Sequence, residues 1–488
     1  MFWKTVVFAG EVRGNEGVCS VANVIVIGIA LLYVLITTGI GVYMKKHSRT
    51  SSGFMTGGKQ FGALVIGALM MSEFIAVGST IGTAQTAFLK GISAGWNLYS
   101  LMLAFAIFGL FLAKKFHERS EYTISGAISK TYGPYAKIIT SLIMTYALIV
   151  SIISTYAGGA AMVALLMHVP KPLAALIVGV VSVIYVAVGG MSAVAYTNLA
   201  HVTVKYVGVI ICMAVGLSAV GGVTGLRMHV SPQMLNWVGI GWPTIIAWTI
   251  GNMGAIFSTQ YIIQAVTSTK DARKAKLASL YAGLLIVPIG FMIALIGVMS
   301  KAIFPNAPSA QALPIIVTLM NPFLGGLVVA GLVAAVFSAS SAGALACAAL
   351  LLKDVYLPFV NKDATEAQSL RFSRLATIAM GLIPVPFAIF VPQILNTMFF
   401  ARALRTTIAV VVILMFYAPR FSSGRGASFG LVTAAVATTV WYMAGNPFGV
   451  DSIYVACVTP VLVMAIDHLF AGKQHEHGKP PRAETTAA

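Results

Sequence analysis

Glu73 is an acid set deep in apolar sequence, inside the stretch 67–85 with Gly78 and Gly82 and a run of small polar residues: Ser72, Ser79, Thr80, Thr83 and Gln85. An unbroken apolar helix needs neither a carboxylate nor such glycines. A helix that opens its backbone to a solute uses both. A second stretch of this kind, 248–260, sets Gly251 and Gly254 beside Asn252 and begins at Trp248. A third, 335–356, carries Ser338 and Ser341 on one helical face. With carbonyls from a broken neighbour, these hydroxyls make an oxygen cage suited to a hard monovalent cation.

Lys205, Arg402 and Arg405 also fall inside apolar runs. A charge at mid-bilayer costs about 2.5–3.5 kcal/mol on insertion scales, so each is a functional-site hypothesis by default. Plainer readings stand beside these. Glu73 also fits a neutral, hydrogen-bonded structural carboxyl, and Lys205 a side chain that snorkels to an interface. Arg402 and Arg405, three apart on one face, either bind an anionic solute or cap carbonyls of a broken neighbour. Gly pairs alone are common packing devices in membrane helices.

The elements that must position these groups follow from composition. Of 488 residues, 58% are hydrophobic and 9% charged, more apolar surface than a soluble fold can hide, so the chain reads as an all-α polytopic membrane protein. Continuous runs of about 20 apolar residues exclude an outer-membrane barrel, whose strands alternate over about 10. About 13 spans are expected. A leading helix covers 18–44, and the others lie near 61–89, 96–113, 137–167, 171–190, 193–221, 241–266, 277–304, 323–352, 372–391, 393–418, 426–446 and 452–471. Residues 1–17 precede them, 61–418 form the core, 426–471 two trailing helices, and 472–488 a polar tail expected to be disordered.

The net charge of +18 gathers in short clusters between runs, as a positive-inside bias does, rather than as a nucleic-acid face. Lys45, Lys46, Lys114, Lys115, Arg273, Lys274, Arg371 and Arg420 fall on one side, which places the N-terminus outside and the C-terminus in the cytoplasm, in a plasma membrane. Cys19, Cys212, Cys347 and Cys457 have no paired spacing and read as small buried residues. No pore-loop repeat, zinc-type His spacing, Ser/His/Asp motif or nucleotide loop points to a channel or an enzyme, and no output domain to a sensor.

In order and spacing, the chain resembles the sodium/solute symporter family from about residue 44 to 434. The pieces are the segment 72–85 with Gly91 and Trp96, Thr131-Tyr-Gly133, 189–198, Gln260 with the basic loop 268–275, the Ser338 helix ending Lys353-Asp354-Val-Tyr356, Ala403-Leu-Arg405, and 426–430. The resemblance implies a five-plus-five inverted repeat of the leucine-transporter type, with one leading and two trailing helices. The broken stretches are then the first and sixth core helices, at matching places in the two halves. It also implies cation-coupled symport by alternating access, with no cofactor beyond a coupling ion, sodium or a proton. The partners implied are a small solute and the lipid bilayer.

Sodium in that family is held by carbonyls of the first core helix and hydroxyls of the eighth, here Ser72, Ile75 and Ser338. Two positions depart from the family pattern. The residue after Ser338 is Ala339 where Ser or Thr is usual, and Thr197-Asn198 stands where Thr-Asp is usual, followed by His201 and Lys205. One oxygen and one negative charge are missing and a lysine has been added, which disfavours sodium electrostatically. Lys205 replacing sodium wholly or in part, with Glu73 as partner or proton carrier, is therefore an expectation, set against sodium coupling by family. Solute contacts implied are Ser79, Thr80, Thr83, Gln85, Asn97, Trp248, Asn252 and Arg405. The solute is expected to be an organic acid or amino acid.

Overall fold

The computed structural model describes residues 16–44, 50–57, 61–167, 169–184, 186–391 and 393–471. The calls on 472–488 and on nearly all of 1–17 lie outside them. The described chain is a bundle of helices whose only sheet-like pairing is one isolated bridge between Phe61 and Thr269. The longer helices are α1 (Glu16–Tyr43), α2 (Ala63–Phe74), α3 (Val77–Lys90), α4 (Trp96–Phe111), α5 (Ile124–Met167), α6 (Lys171–Ile184) and α7 (Val186–Ala219). The second half follows with α8 (Trp242–Ser258), α9 (Gln260–Thr267), α10 (Ala272–Ile303), α11 (Pro322–Leu351), α12 (Glu366–Leu382), α13 (Ile394–Tyr417), α14 (Gly424–Met443) and α15 (Ser452–Ala471).

Ten helices among the described residues are long and apolar enough to cross a bilayer, and α2 with α3, bent by 49°, makes an eleventh. The expected runs near 171–190 and 241–266 fall short of that measure: α6 has 14 residues, and the second run is divided into α8 and α9 at Thr259. In sequence order the helices reproduce the inverted-repeat arrangement, with α2/α3 and α8/α9 as the broken first and sixth core helices.

The breaks do not fall at the glycines. Chain direction changes at Ile75 (φ −89°, ψ 52°) and Ala76 (ψ 167°), and at Thr259 (ψ 128°), whereas Gly78, Gly82, Gly251 and Gly254 are helical. Their smallness serves packing instead. A Cβ on Gly254 would lie 2.7 Å from the Thr406 Cα, and one on Gly82 3.1 Å from the Leu395 Cβ. These glycines let α8 and α3 approach α13 closely.

Four helices that start on connecting loops are capped by side chains. Asp271, Asn321 and Ser423 each accept a first-turn N–H, and Thr365 with Gln368 forms a capping box. The interior breaks differ: neither Ala76 nor Thr259 gives its helix a side-chain cap. Backbone groups are thereby left for something other than the helix itself. Around them, α7 packs on α2 and α11, α10 on α2, α3 and α4, and α13 on α3, α5 and α8.

One end of the bundle is tied by charge. Glu121 pairs with Lys353 and with Lys130 at 3.2 Å, and Asp354 pairs with Lys137 at 3.1 Å and accepts from Ser125. Gln260 joins this layer through Ile124 N and Tyr122 O, both at 2.8 Å. Partial burial alone would raise the Glu121 carboxyl, but Lys353 and Lys130 hold it below the usual carboxylate range.

Two predictions follow from these features. A depressed carboxyl stabilises the fold above its unfolded pKa, about 4.3 for Glu, and loses that contribution as pH falls through the lower folded value. Glu121→Gln should therefore lower the melting temperature in detergent at pH 7, with the gap to wild type closing only as pH falls below about 4; a gap constant with pH would refute the ion-pair account. Gly91 (φ 87°, ψ −170°) and Gly133 (φ 84°, ψ −175°) share a backbone region open almost only to glycine. A Cβ on Gly91 would stand 2.3 Å from Met234 O, while one on Gly133 meets nothing within 4 Å. Alanine at either costs about 1–3 kcal/mol in backbone strain, so Gly91→Ala should melt lower than Gly133→Ala, and equal melting would refute the steric part.

Candidate functional site

Helix α2 stops at Phe74, so the carbonyls of its last turn lack the N–H groups a longer helix would supply. Those carbonyls also carry the negative end of the helix dipole. Lys205, on α7, reaches this end. Its Nζ donates to Ser72 O at 2.7 Å, to Ser72 Oγ at 2.8 Å and to Ser338 Oγ on α11 at 2.7 Å. An ammonium has three N–H donors, and all three are spent. Lys205 is 2% exposed, so it does not snorkel; its donors find oxygens within the bundle instead.

The family's sodium fits these residues poorly. Ala339 adds no oxygen, and Asn198 supplies an amide where a carboxylate would carry charge. The Ser72 carbonyl and the Ser338 hydroxyl already receive a cation. A second unit charge about 4 Å from the ammonium would cost about 4 kcal/mol at an effective dielectric of 20, roughly three orders of magnitude in affinity. Ile75 lines the small cavity beside Lys205, as does Thr80, whose hydroxyl bonds Val77 O. The Ser341 hydroxyl turns back to Ser338 O at 2.9 Å.

Glu73 sits next to the break, one residue from the end of α2, and is buried. Asn198 Nδ2 donates to its Oε1 at 3.3 Å, and Oε2 has no partner among the described residues. One turn before Lys205, His201 is hydrogen-bonded through Nδ1 to Tyr33 of α1. Tyr33 was not singled out in the sequence, because a lone tyrosine in an apolar run carries no pattern.

A cavity of about 20 Å³, room for about one water, lies between the breaks. Glu73, Ala76 and Ser79 line it from the α2/α3 side, Ser151 and Thr155 from α5, Tyr261 from α9, and Met398, Arg402 and Arg405 from α13. Of the expected solute contacts, Ser79 and Arg405 are on this wall. The others are not in its lining, and three of them hold one another: Asn97 Nδ2 donates to Thr83 Oγ1 at 2.7 Å, and Asn252 donates to Asn97 O at 2.7 Å. Gln85 bonds Ser309 and Ile394, and Trp248 stacks on Phe399 at 4.9 Å.

Arg402 donates to Asn97 Oδ1 at 2.6 Å and Ser79 Oγ at 3.2 Å, and lies 4.7 Å over the Phe399 ring. Arg405 makes two long bonds of 3.4 Å, to Thr259 Oγ1 and Ala147 O, and its Nε has no partner among the described residues. The α5 and α9 contributors gave no sequence signal, since Ser151, Thr155 and Tyr261 are single polar residues on otherwise apolar helices.

Comparison with known proteins agrees with this architecture. Residues 54–434 match the model of the sodium:solute symporter family. The chain is 22% identical over 394 residues to the sodium/glucose cotransporter of Vibrio parahaemolyticus, covering 72% of each. It is also 22% identical over 435 residues to the high-affinity proline transporter PutP of Bacillus subtilis (strain 168), covering 83% of this chain and 90% of that one. In structure it is similar to a sodium-coupled sialic acid symporter in a substrate-bound outward-open state, with a TM-score of 0.79, 14% identity, and 91% and 98% of the two chains covered. The matched span takes in every helix that lines the cavity and the lysine site, and on that ground the chain, an integral membrane transporter rather than an enzyme, belongs to the sodium:solute symporter family.

Proposed function

We propose that the chain is a secondary transporter that imports a small organic solute, an organic acid or amino acid, by alternating access. In this reading the Lys205 ammonium stands where sodium sits in the family, so that transport is proton-coupled or uncoupled rather than sodium-driven. One observation carries it: the three hydrogen bonds from Lys205 Nζ to Ser72 and Ser338, which use the oxygens a sodium ion would need. The substitutions at Ala339 and Asn198 point the same way, since both remove what a sodium ion is held by. The contrary reading, sodium symport, is supported by the names of the relatives, a sodium/glucose cotransporter and a sodium-coupled sialic acid symporter among them.

Glu73 and Asn198 then hold the α2 end against α7, and the cavity at Ser79 and Arg405, closed here to about one water, opens to receive the solute. The N-terminus faces outward and the C-terminus the cytoplasm, with the charged layer at Glu121 and Asp354 closing the inner end.

Uptake into proteoliposomes under separately imposed sodium and pH gradients tests the reading. Uptake indifferent to sodium is expected, and the response to the pH gradient separates proton coupling from facilitated entry. Sodium-driven accumulation that ignores pH and is unaltered in Lys205→Ala would defeat it. A second measurement concerns binding alone. Lys205→Ala frees the Ser72 and Ser338 oxygens, so sodium, but not choline, should stabilise the variant, by about 2.7 kcal/mol at a hundredfold excess over Kd. No such shift is expected in wild type, and an equal sodium shift in both proteins would count against the lysine.

A further inference from the structure

The buried charges of the core do not balance. Lys205, Arg402 and Arg405 are each 2% exposed, and Glu73 is the one acid beside them. None of the five ion pairs among the described residues includes either arginine. A guanidinium cannot shed its charge in a protein, and an unpaired buried charge is costly. Both arginines line the same cavity; it is closed here to about one water, so a ligand supplying the missing negative charge enters as its walls part.

The two arginines are not equivalent. Arg402 is committed, its Nη atoms on Asn97 and Ser79 and its face on Phe399. Arg405 keeps an unpartnered Nε in a fully buried wall. Helix α3, 14 residues long, begins at the same cavity without a side-chain cap, with Ala76 and Ser79 in the lining. Its first N–H groups and positive dipole end favour an anion there.

We propose that the solute is a small carboxylate anion, bound by Arg405 Nε and the start of α3, with Arg402 as a fixed neighbouring charge. This deepens the transport reading above and rests on it. A zwitterion brings an ammonium into a site already walled by two guanidinium groups. A sugar brings no charge at all. A dicarboxylate would set its second group among the walls of a cavity where the remaining free oxygen, Glu73 Oε2, is itself an acceptor if ionised; a hydroxyl donates to that oxygen instead. The structure therefore selects a hydroxy-monocarboxylate over the alternatives.

The experiment uses the full chain in detergent, with lactate, propionate, succinate, alanine and glucose as probes. Ligand-dependent melting shifts and calorimetric Kd values are the readouts. The expected order is lactate, then propionate, with alanine and succinate at least tenfold weaker than lactate and glucose without effect. Alanine, succinate or glucose binding as tightly as lactate would overturn the assignment. Arg405→Gln should abolish the lactate shift, and Arg405→Lys, which keeps the charge but loses the Nε donor, should retain a weakened one. A lactate shift undiminished in Arg405→Gln also overturns it. Without ligand, Arg405→Gln should melt no lower than wild type, because the charge it removes is unpaired; a collapse of the unliganded protein would mark the arginine as structural and overturn the proposal. Running the series in choline and again in sodium keeps the two readings apart. Sodium-dependent lactate binding counts against Lys205, whereas the rank order of probes alone decides the anion.

Discussion

The contact that the rest of the site depends on is the ammonium of Lys205 against the open end of α2. It gathers three helices at one point: α7 supplies the cation, α2 a carbonyl and hydroxyl from Ser72, and α11 the Ser338 hydroxyl. In the bilayer a broken helix leaves carbonyls that nothing in the lipid can satisfy. A lysine in the chain answers that need permanently, and its own burial is made tolerable by the same three bonds. Each side of the contact removes the other's cost.

The distribution of helix caps follows from the same logic. At four loop ends, Asp271, Asn321, Thr365 and Ser423 close the first turn with their own side chains, whereas Gly62, Gly241 and Gln393 leave theirs open to the loop side. Where helices end inside the bundle, Ala76 and Thr259 offer no such closure. At the interior ends the spare polar backbone can find partners only within the bundle. One of them points a negative dipole end at Lys205, and the other end of the same break points a positive one at the cavity with the arginines. A single interruption between Phe74 and Val77 thus makes two sites of opposite preference, separated by Ile75 and Ala76.

Much of this was legible in the sequence, for identifiable reasons. Apolar runs and their charge gave the fold class, and Glu73, Lys205, Ser338 and Arg405 stood out because ionisable or hydroxyl groups in such runs need partners. The location of the breaks was misread at the glycines. Gly82 and Gly254 are where neighbouring backbones come close, a property of α13 that lies more than 140 residues away in the chain. The breaks themselves fall at Ile75 and Thr259, β-branched residues with no local signature. Asn97, Thr83 and Asn252 read as solute contacts because sequence spacing does not show that the three are linked to one another and, through Asn97, to Arg402. Ser151, Thr155 and Tyr261 were passed over for the opposite reason: each is isolated, and only the fold brings them to one wall.

A tethered cation also changes what the transport cycle can draw on. A sodium ion contributes the free energy of its gradient because it is bound on one side and released on the other. The ammonium of Lys205 can hold α2, α7 and α11 together as an ion would, yet it never leaves the chain. The structural role of the ion and its energetic role, which coincide in a sodium symporter, are thereby separated. In the reading proposed above, the lysine preserves the first and removes the second. Accumulation of solute against its gradient then requires a mobile species besides the lysine itself, and without one the same fold carries its solute only toward equilibrium. That separation follows from covalent attachment alone, whatever the solute in the cavity at Arg405.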